Sequence, residues 1–360
     1  MSALFNRRAS REIKLLNTGI GGNYPISIQS MTNTDTHDIE ATYAQVSRLA
    51  DVGCEIVRIT APDTEAAKTF SALKERGVSI PLVADIHFNH EIAIACADGG
   101  ADKIRINPGN IGDDSKVKAV VDACRRNNVP IRIGVNSGSL EKSILAKHGA
   151  PTAEALAESA LYHASLLERF DFNDIVISVK ASNVQNMIAA NRILAEKTDY
   201  PLHLGVTEAG GGDSAVVKSS VGIGALLAEG IGDTVRISLT DDPVREVEYA
   251  REVLRALDLV ENPGMDIVSC PTCGRTKIDL IGLASEFKRR AHALGLDKMN
   301  VRVALMGCVV NGPGEAREAD VGIAGGVSEG LLFKRGEIIR KLPERELVSA
   351  LIEELLRMRG

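Results

Sequence analysis

Three cysteines near the C-terminus have the spacing of ligands. Cys270-Pro-Thr-Cys273 is a C-x-x-C, and Cys308 follows in Met306-Gly-Cys-Val-Val-Asn-Gly-Pro-Gly-Glu315. A C-x-x-C puts two sulfurs on one turn, aimed at a single centre. A closed zinc site wants four nitrogen or sulfur ligands, yet His292 is the only histidine after residue 260 and it lies within an amphipathic pattern. Three thiolates with one other ligand suit an iron–sulfur cluster better. A zinc site and a redox dithiol stay open on spacing alone. The remaining cysteines, Cys54, Cys96 and Cys124, sit in strand or helix patterns and read as small core hydrophobes.

A second set of groups is cationic. Arg58, Arg105, Arg132 and Arg236 each lie within a short Ile/Val-rich run, and Lys180 ends another. Such side chains cannot easily reach water sideways from a covered strand, and burying them unpaired is costly. They are tolerable if they converge on one end of a sheet and meet an anion. Five cations exceed the strand-end acids Asp85 and Glu208, which implies a polyanionic ligand; forked guanidinium donors match phosphate oxygens. Asn107, Asn136, Ser178, Thr207 and Ser238 fall on the same rim. Glu208, beside these cations and shielded from bulk water, is the first general acid–base candidate, ahead of Asp85 and His87. His203, inside a strand, reads equally well as a core histidine.

The elements that must position these groups follow from periodicity. Apolar runs over 26–31, 55–60, 82–86, 103–106, 131–135, 175–179, 202–206 and 234–239 alternate with amphipathic helical patterns. Eight strand–helix units predict a TIM (β/α)8 barrel over residues 1–260, with its active site at the strand C-termini. An extended loop is expected over 136–152. From 261 to 360 the pattern changes to a small α+β domain with a helix over 277–294, strands over 301–306, 321–324 and 337–342, and a last helix from Pro343.

Composition narrows the function classes. The 360 residues include 44% hydrophobic and 25% charged residues, an ordinary globular balance. The formal charge of −6, the absence of Trp and 3% aromatics give no basic stacking face, so no nucleic-acid partner is expected. No apolar run has membrane-spanning length and the N-terminal stretch lacks a secretory core, so a cytoplasmic protein is expected. Six cysteines are too few for a disulfide scaffold.

Taken together, SIQSMTNTDT (27–36), ADIHF (84–88), KIRINPGNIG (103–112), RIGVNSGSL (132–140), GVTEAGGG (205–212), CPTCGR (270–275) and MGCVVNGPGE (306–315) form a series. The chain closely resembles, over essentially its whole length, the bacterial 4-hydroxy-3-methylbut-2-enyl diphosphate synthase family of the non-mevalonate isoprenoid pathway. The resemblance implies a TIM barrel followed by a reductase-like domain holding a [4Fe–4S] cluster on Cys270, Cys273, Cys308 and the carboxylate of Glu315. It implies 2-C-methyl-D-erythritol 2,4-cyclodiphosphate as substrate, opened reductively with loss of water. Electrons would arrive singly from flavodoxin or ferredoxin, and Glu208 would supply a proton. It also implies a homodimer, each cluster domain capping the partner's barrel. Two other readings stand beside it: a barrel aldolase or synthase with a structural zinc domain, and an electron carrier whose barrel is vestigial.

Overall fold

The computed structural model describes residues 6–260, 264–308, 317–327 and 329–359. The chain divides into two compact units, Met1–Val260 and Glu261–Gly360.

The first unit opens with a hairpin that the periodicity did not reveal, β1 (Ile13–Leu15) antiparallel to β2 (Thr18–Ile20). Eight parallel strands follow: β3 (Ser27–Met31), β4 (Ile56–Thr60), β5 (Leu82–Asp85), β6 (Lys103–Ile106), β7 (Ile131–Asn136), β8 (Ile175–Lys180), β9 (His203–Leu204) and β10 (Thr234–Val235). Their spatial order is β8-β7-β6-β5-β4-β3-β10-β9, and an Ile177–Leu202 bridge joins the two ends. The eight strands therefore form a closed (β/α)8 barrel. Its helices are α1 (Ile39–Asp51), α2 (Ala66–Glu75), α3 (His90–Asp98), α4 (Asp114–Asn127), α5 (Lys142–His148), α6 (Ala153–Glu168), α7 (Val184–Lys197), α8 (Gly212–Ala228) and α9 (Pro243–Ala256).

Local chemistry starts several of these helices where the strands end. Asp38, Asn89, Asp113, Thr152, Asn183 and Asp242 each accept a hydrogen bond from a first-turn amide. Alternation along the strands then sorts the side chains. Ile104 and Ile106, Ile131, Ile133 and Val135, and Ile175, Ile177 and Val179 face the helices as one continuous core. The intervening residues face the barrel axis, and the strand register stacks them in layers of four. The lowest full layer is Ile56, Lys103, Val176 and Thr234. Above it lie Gln29, Val83, Arg132 and His203, then Arg58, Arg105, Ser178 and Arg236. The β1–β2 hairpin closes the floor, packing Ile13, Leu15 and Ile20 against Ile56, Val83 and Val176.

Three details depart from the sequence expectations. The expected loop at 136–152 carries a 3-10 turn, Ser137–Ser139, and α5. Strands β9 and β10 are two residues each rather than five and six. The ladder stops short at Gly205, where a Cβ would stand 2.7 Å from both Lys180 Nζ and the Arg236 carbonyl oxygen. A buried cation occupies the space that a longer side chain would fill.

The second unit is a five-stranded mixed sheet ordered β11 (Asp266–Ser269), β12 (Arg302–Met306), β13 (Val321–Gly325), β14 (Glu329–Lys334) and β15 (Glu337–Pro343). The first three strands are parallel and the last two antiparallel. Helices α10 (Leu280–Ala293) and α11 (Leu347–Arg359) pack on it through Leu283, Phe287, Leu347, Leu351 and Leu355. β11 and β14 are additions to the expected elements. β11 holds only two apolar residues and β14 a run of three between Gly330 and Lys334, so alternation is too weak to mark them.

Candidate active site

Inward-facing residues of seven strands and their extensions meet at the C-terminal end of the barrel. Arg58, Asp85, Arg105, Arg132, Asn136, Ser178, Lys180, Thr207, Arg236 and Ser238 line one pocket with His87 and Gly134. Each position reflects the same fact, a polar residue at an inward step of an Ile/Val-rich strand. Gly134 is required by close approach, because a Cβ there would lie 2.2 Å from Arg105 Nε.

Two carboxylates brace three of the five cations. Arg105 Nη1 lies 3.2 Å from Asp85 Oδ1, and its Nη2 donates to the Gly134 carbonyl at 2.8 Å. Arg58 Nε is 3.7 Å from Asp85 Oδ2. Burial alone would push the Asp85 carboxyl up, but Arg58 and Arg105, helped by His87 and Arg132, outweigh it and hold the group down to about 2. Arg58 itself is lowered to about 10, chiefly by burial, with Asp85 opposing and Arg236 and Arg105 adding repulsion. Arg236 makes a forked pair with Glu246 at 3.1 and 3.0 Å, and Glu246 also accepts from Ser30 Oγ at 2.8 Å and the Leu239 amide at 3.1 Å.

Arg132 and Lys180 have no carboxylate within ion-pair distance among the described residues. Burial, then neighbouring guanidiniums, drives both well below their ordinary values. Among the described residues the pocket thus carries five cations against Asp85 in its lining, with Glu246 behind Arg236. A low-dielectric cleft with that surplus attracts and orients a multiply charged anion.

Two expected residues sit elsewhere. Asn107 is buried beside the pocket, where its Oδ1 accepts the Gly134 amide at 3.0 Å; it braces the wall rather than lining it. Glu208 does not line the pocket and is exposed, which corrects the expectation that it is shielded from water. Its backbone takes a left-handed φ of 53°, turning the chain outward just after Thr207. The second acid that bears on the pocket is Glu246, which stands behind the lining and pairs with Arg236 from the buried face of the first turn of α9.

Sequence reasoning also missed His163, a fully buried ring on α6. Its Nδ1 accepts the Gly109 amide at 3.0 Å and its Nε2 is 2.5 Å from Glu141 Oε1. Gly109 follows β6 and Glu141 follows β7, so one side chain ties together the two loops that carry Asn107 and Asn136. A lone polar ring among Ala160, Ala164 and Leu167 was the available signal. His203 is fully buried within the barrel, while Cys54, Cys96 and Cys124 are core residues whose thiols burial pushes up to about 12.

In the second unit, Cys270 follows β11 and Cys308 follows β12, at the same end of two adjacent parallel strands. Cys273 is exposed on the turn between them, where its carbonyl accepts the Thr276 amide at 3.0 Å. All three thiols are free, and the Gly307 amide donates to Cys270 Sγ at 3.2 Å, the kind of bond that supports a ligating sulfur. Among the described residues no three His, Cys, Asp or Glu side chains are gathered closely enough to hold a metal ion. Glu315 lies outside the described residues.

Comparison with known proteins places this geometry. Residues 10–251 match the GcpE TIM-barrel domain and residues 266–357 match the GcpE protein C-terminal domain. The chain is 55% identical to the 4-hydroxy-3-methylbut-2-en-1-yl diphosphate synthase (flavodoxin) of Clostridium perfringens, over 97% of this chain and 98% of that one. It is also 55% identical to the protein of the same name from Geobacter sulfurreducens, over 96% and 97%. Among solved structures, a type I 3-dehydroquinate dehydratase from Clostridium difficile aligns with a TM-score of 0.50 at 14% identity, covering 69% of this chain and 98% of that one. That likeness concerns the barrel fold alone.

Proposed function

This chain belongs to the GcpE family, and we infer from that membership and from the pocket that it is a 4-hydroxy-3-methylbut-2-en-1-yl diphosphate synthase using flavodoxin as electron donor. The substrate we propose is 2-C-methyl-D-erythritol 2,4-cyclodiphosphate, opened reductively with loss of a hydroxyl as water. The observation that carries this reading is the barrel mouth lined by five cations and Asp85, with Glu246 behind Arg236.

The residues divide the work by their surroundings. Arg132 and Lys180, with no carboxylate at ion-pair distance among the described residues, take the diphosphate oxygens most directly. Arg58, Arg105 and Arg236 are already fixed by Asp85 and Glu246, so they present donors in set directions and lose little entropy on binding. Asn136, Ser178, Thr207 and Ser238 offer neutral hydrogen bonds to the sugar-derived hydroxyls. Glu208, on the turn outside the pocket, is proposed to deliver the proton that accompanies loss of hydroxyl.

A [4Fe–4S] cluster is proposed on Cys270, Cys273, Cys308 and Glu315. The free thiols at one sheet end and the amide bond to Cys270 Sγ suit such ligation. When bound, a cluster supplies electrons one at a time and a Lewis-acidic iron. A carboxylate among thiolates is the hardest ligand of that set and the most readily exchanged. Ferredoxin as an alternative donor, a homodimer and a cytoplasmic location belong to the same proposal.

The test is anaerobic iron and sulfide analysis with EPR of the reduced protein, alongside turnover of the cyclic diphosphate with reduced flavodoxin. The reading expects about four irons and four sulfides per chain and formation of the ring-opened diphosphate. Stoichiometric zinc, with no reductive turnover, would support the aldolase or synthase reading instead.

A further inference from the structure

Barrel interiors of this type are normally filled with Val, Ile and Leu. Here the two layers beneath the pocket hold Lys103, Gln29, Arg132 and His203. Lys103 and His203 are fully buried, and Gln29 and Arg132 are each 1% exposed. Lys103 Nζ, both His203 ring nitrogens, both Gln29 amide atoms, and Arg132 Nε and Nη2 have no hydrogen-bond partner among the described residues. Leaving so many buried polar atoms unmet is unusual, because each carries a desolvation cost.

The layers communicate with the pocket but not with the opposite face. Arg132 belongs to both, since it lines the pocket while its Nε and Nη2 are buried. The floor is closed by Ile13, Leu15 and Ile20. The charged groups acting on Lys103 are Arg132 and Arg58, both repelling a proton, and Asp102, which favours one. Asp102 is already committed to Lys74 at 2.5 Å and to the Leu82 amide at 2.7 Å. His203 is surrounded by Arg132, Lys180, Lys103 and Arg58, all repelling a proton.

We propose that Lys103 and His203 form a proton-loading layer under the pocket, in which Lys103 takes a proton from solvent when an anion occupies the mouth and releases it when the anion leaves. Resting on the reading of the mouth as an anion site, it adds two residues with no role in that reading. A guanidinium cannot shed its proton, so in the free protein the lysine and histidine relieve the crowding of positive charge by staying neutral. Burial and the guanidiniums hold both well below their ordinary values. Two negative charges laid against Arg132 and Lys180 offset that repulsion, and the amine recovers its proton. Anion affinity must then strengthen as pH falls through the range in which Lys103 titrates.

The test uses sulfate, whose charge is constant from pH 6 to 9. Sulfate is titrated calorimetrically into wild-type holoenzyme and Lys103→Met at pH 8, in buffers of different ionisation enthalpy, which yields protons taken up per sulfate. Lys180 is present in both proteins, so the difference isolates Lys103. Proton uptake by the wild type is expected to exceed that of Lys103→Met by about half a proton or more; equal uptake overturns the proposal. Should the substituted protein fail to fold, wild-type protein labelled with 13C-lysine answers the same question. A lysine Cε signal that stands at the neutral position, and that persists in labelled Lys180→Arg, belongs to Lys103 and should move to the charged position with sulfate. No such movement overturns the proposal, while failure of sulfate to bind at all removes the anion-site reading beneath it.

Discussion

The barrel mouth and the cysteine end of the second unit are both sets of ligands, yet they are prepared differently. In the mouth, strands and two carboxylates fix the cations before any ligand arrives: Asp85 holds Arg105 and Arg58, and Glu246 holds Arg236. At the cysteine end the thiols are brought to one end of a sheet, and among the described residues they are not gathered into a metal-holding group. A site that recognises a diphosphate gains from donors already in place. Soft thiolates, by contrast, are organised by the centre they bind, and metal binding then contributes to folding.

The largest effect that sharpens this contrast is Cys273→Ser. It is expected to remove iron, sulfide and turnover while leaving the barrel folded and sulfate binding within about twofold of wild type. Joint loss of sulfate binding would show that the mouth is not independently prepared.

Asp85→Asn attacks the preparation itself. Removing one partner of a buried ion pair costs roughly 3–5 kcal/mol, seen as a lower denaturant midpoint. The same change raises the surplus of positive charge, so sulfate should raise the melting temperature of Asp85→Asn by more than it raises that of the wild type. Acid titration provides a second readout. Asp85 is lowered to about 2 from 3.8, so its contribution is complete above pH 4 and is lost as pH falls towards 2. The wild type should lose this increment over that range and Asp85→Asn should not.

Gly134→Ala forces a methyl group into the space of Arg105 Nε and is expected to cost about 1–3 kcal/mol through overpacking, with weaker sulfate binding. His163→Gln removes the acceptor for the Gly109 amide and should cost about 1 kcal/mol. It should raise KM for the cyclic diphosphate more than it lowers kcat, because the loops bearing Asn107 and Asn136 loosen. His163→Asn, whose Oδ1 can replace Nδ1, should restore most of that KM.

Much of the barrel was legible because its strands are apolar on the helix side at every second residue. That left the five inward cations of the mouth conspicuous in the sequence, from Arg58 to Arg236. What escaped were groups whose meaning depends on contacts distant in sequence. Glu246 is an ordinary helix acid until α9 packs against Arg236 and Ser30. The β1–β2 hairpin is too short for a periodic signal, and its role as a floor appears only once the barrel closes over it. Glu208 failed the other way, since neighbouring residues lined the pocket while a left-handed turn carried its side chain outside. Lys103 was readable as a strand residue, but nothing local marks a lysine that faces the axis two layers below a mouth.

The most direct test of the central claim is the dissociation constant of the cyclic diphosphate for Lys180→Met and wild type, measured at low and high salt. A cation buried with no counter-charge among the described residues and reserved for the ligand predicts affinity weakened by roughly 30-fold or more, with a shallower salt dependence in Lys180→Met. Equal constants and equal salt slopes would contradict an anion site built from these strand-borne cations.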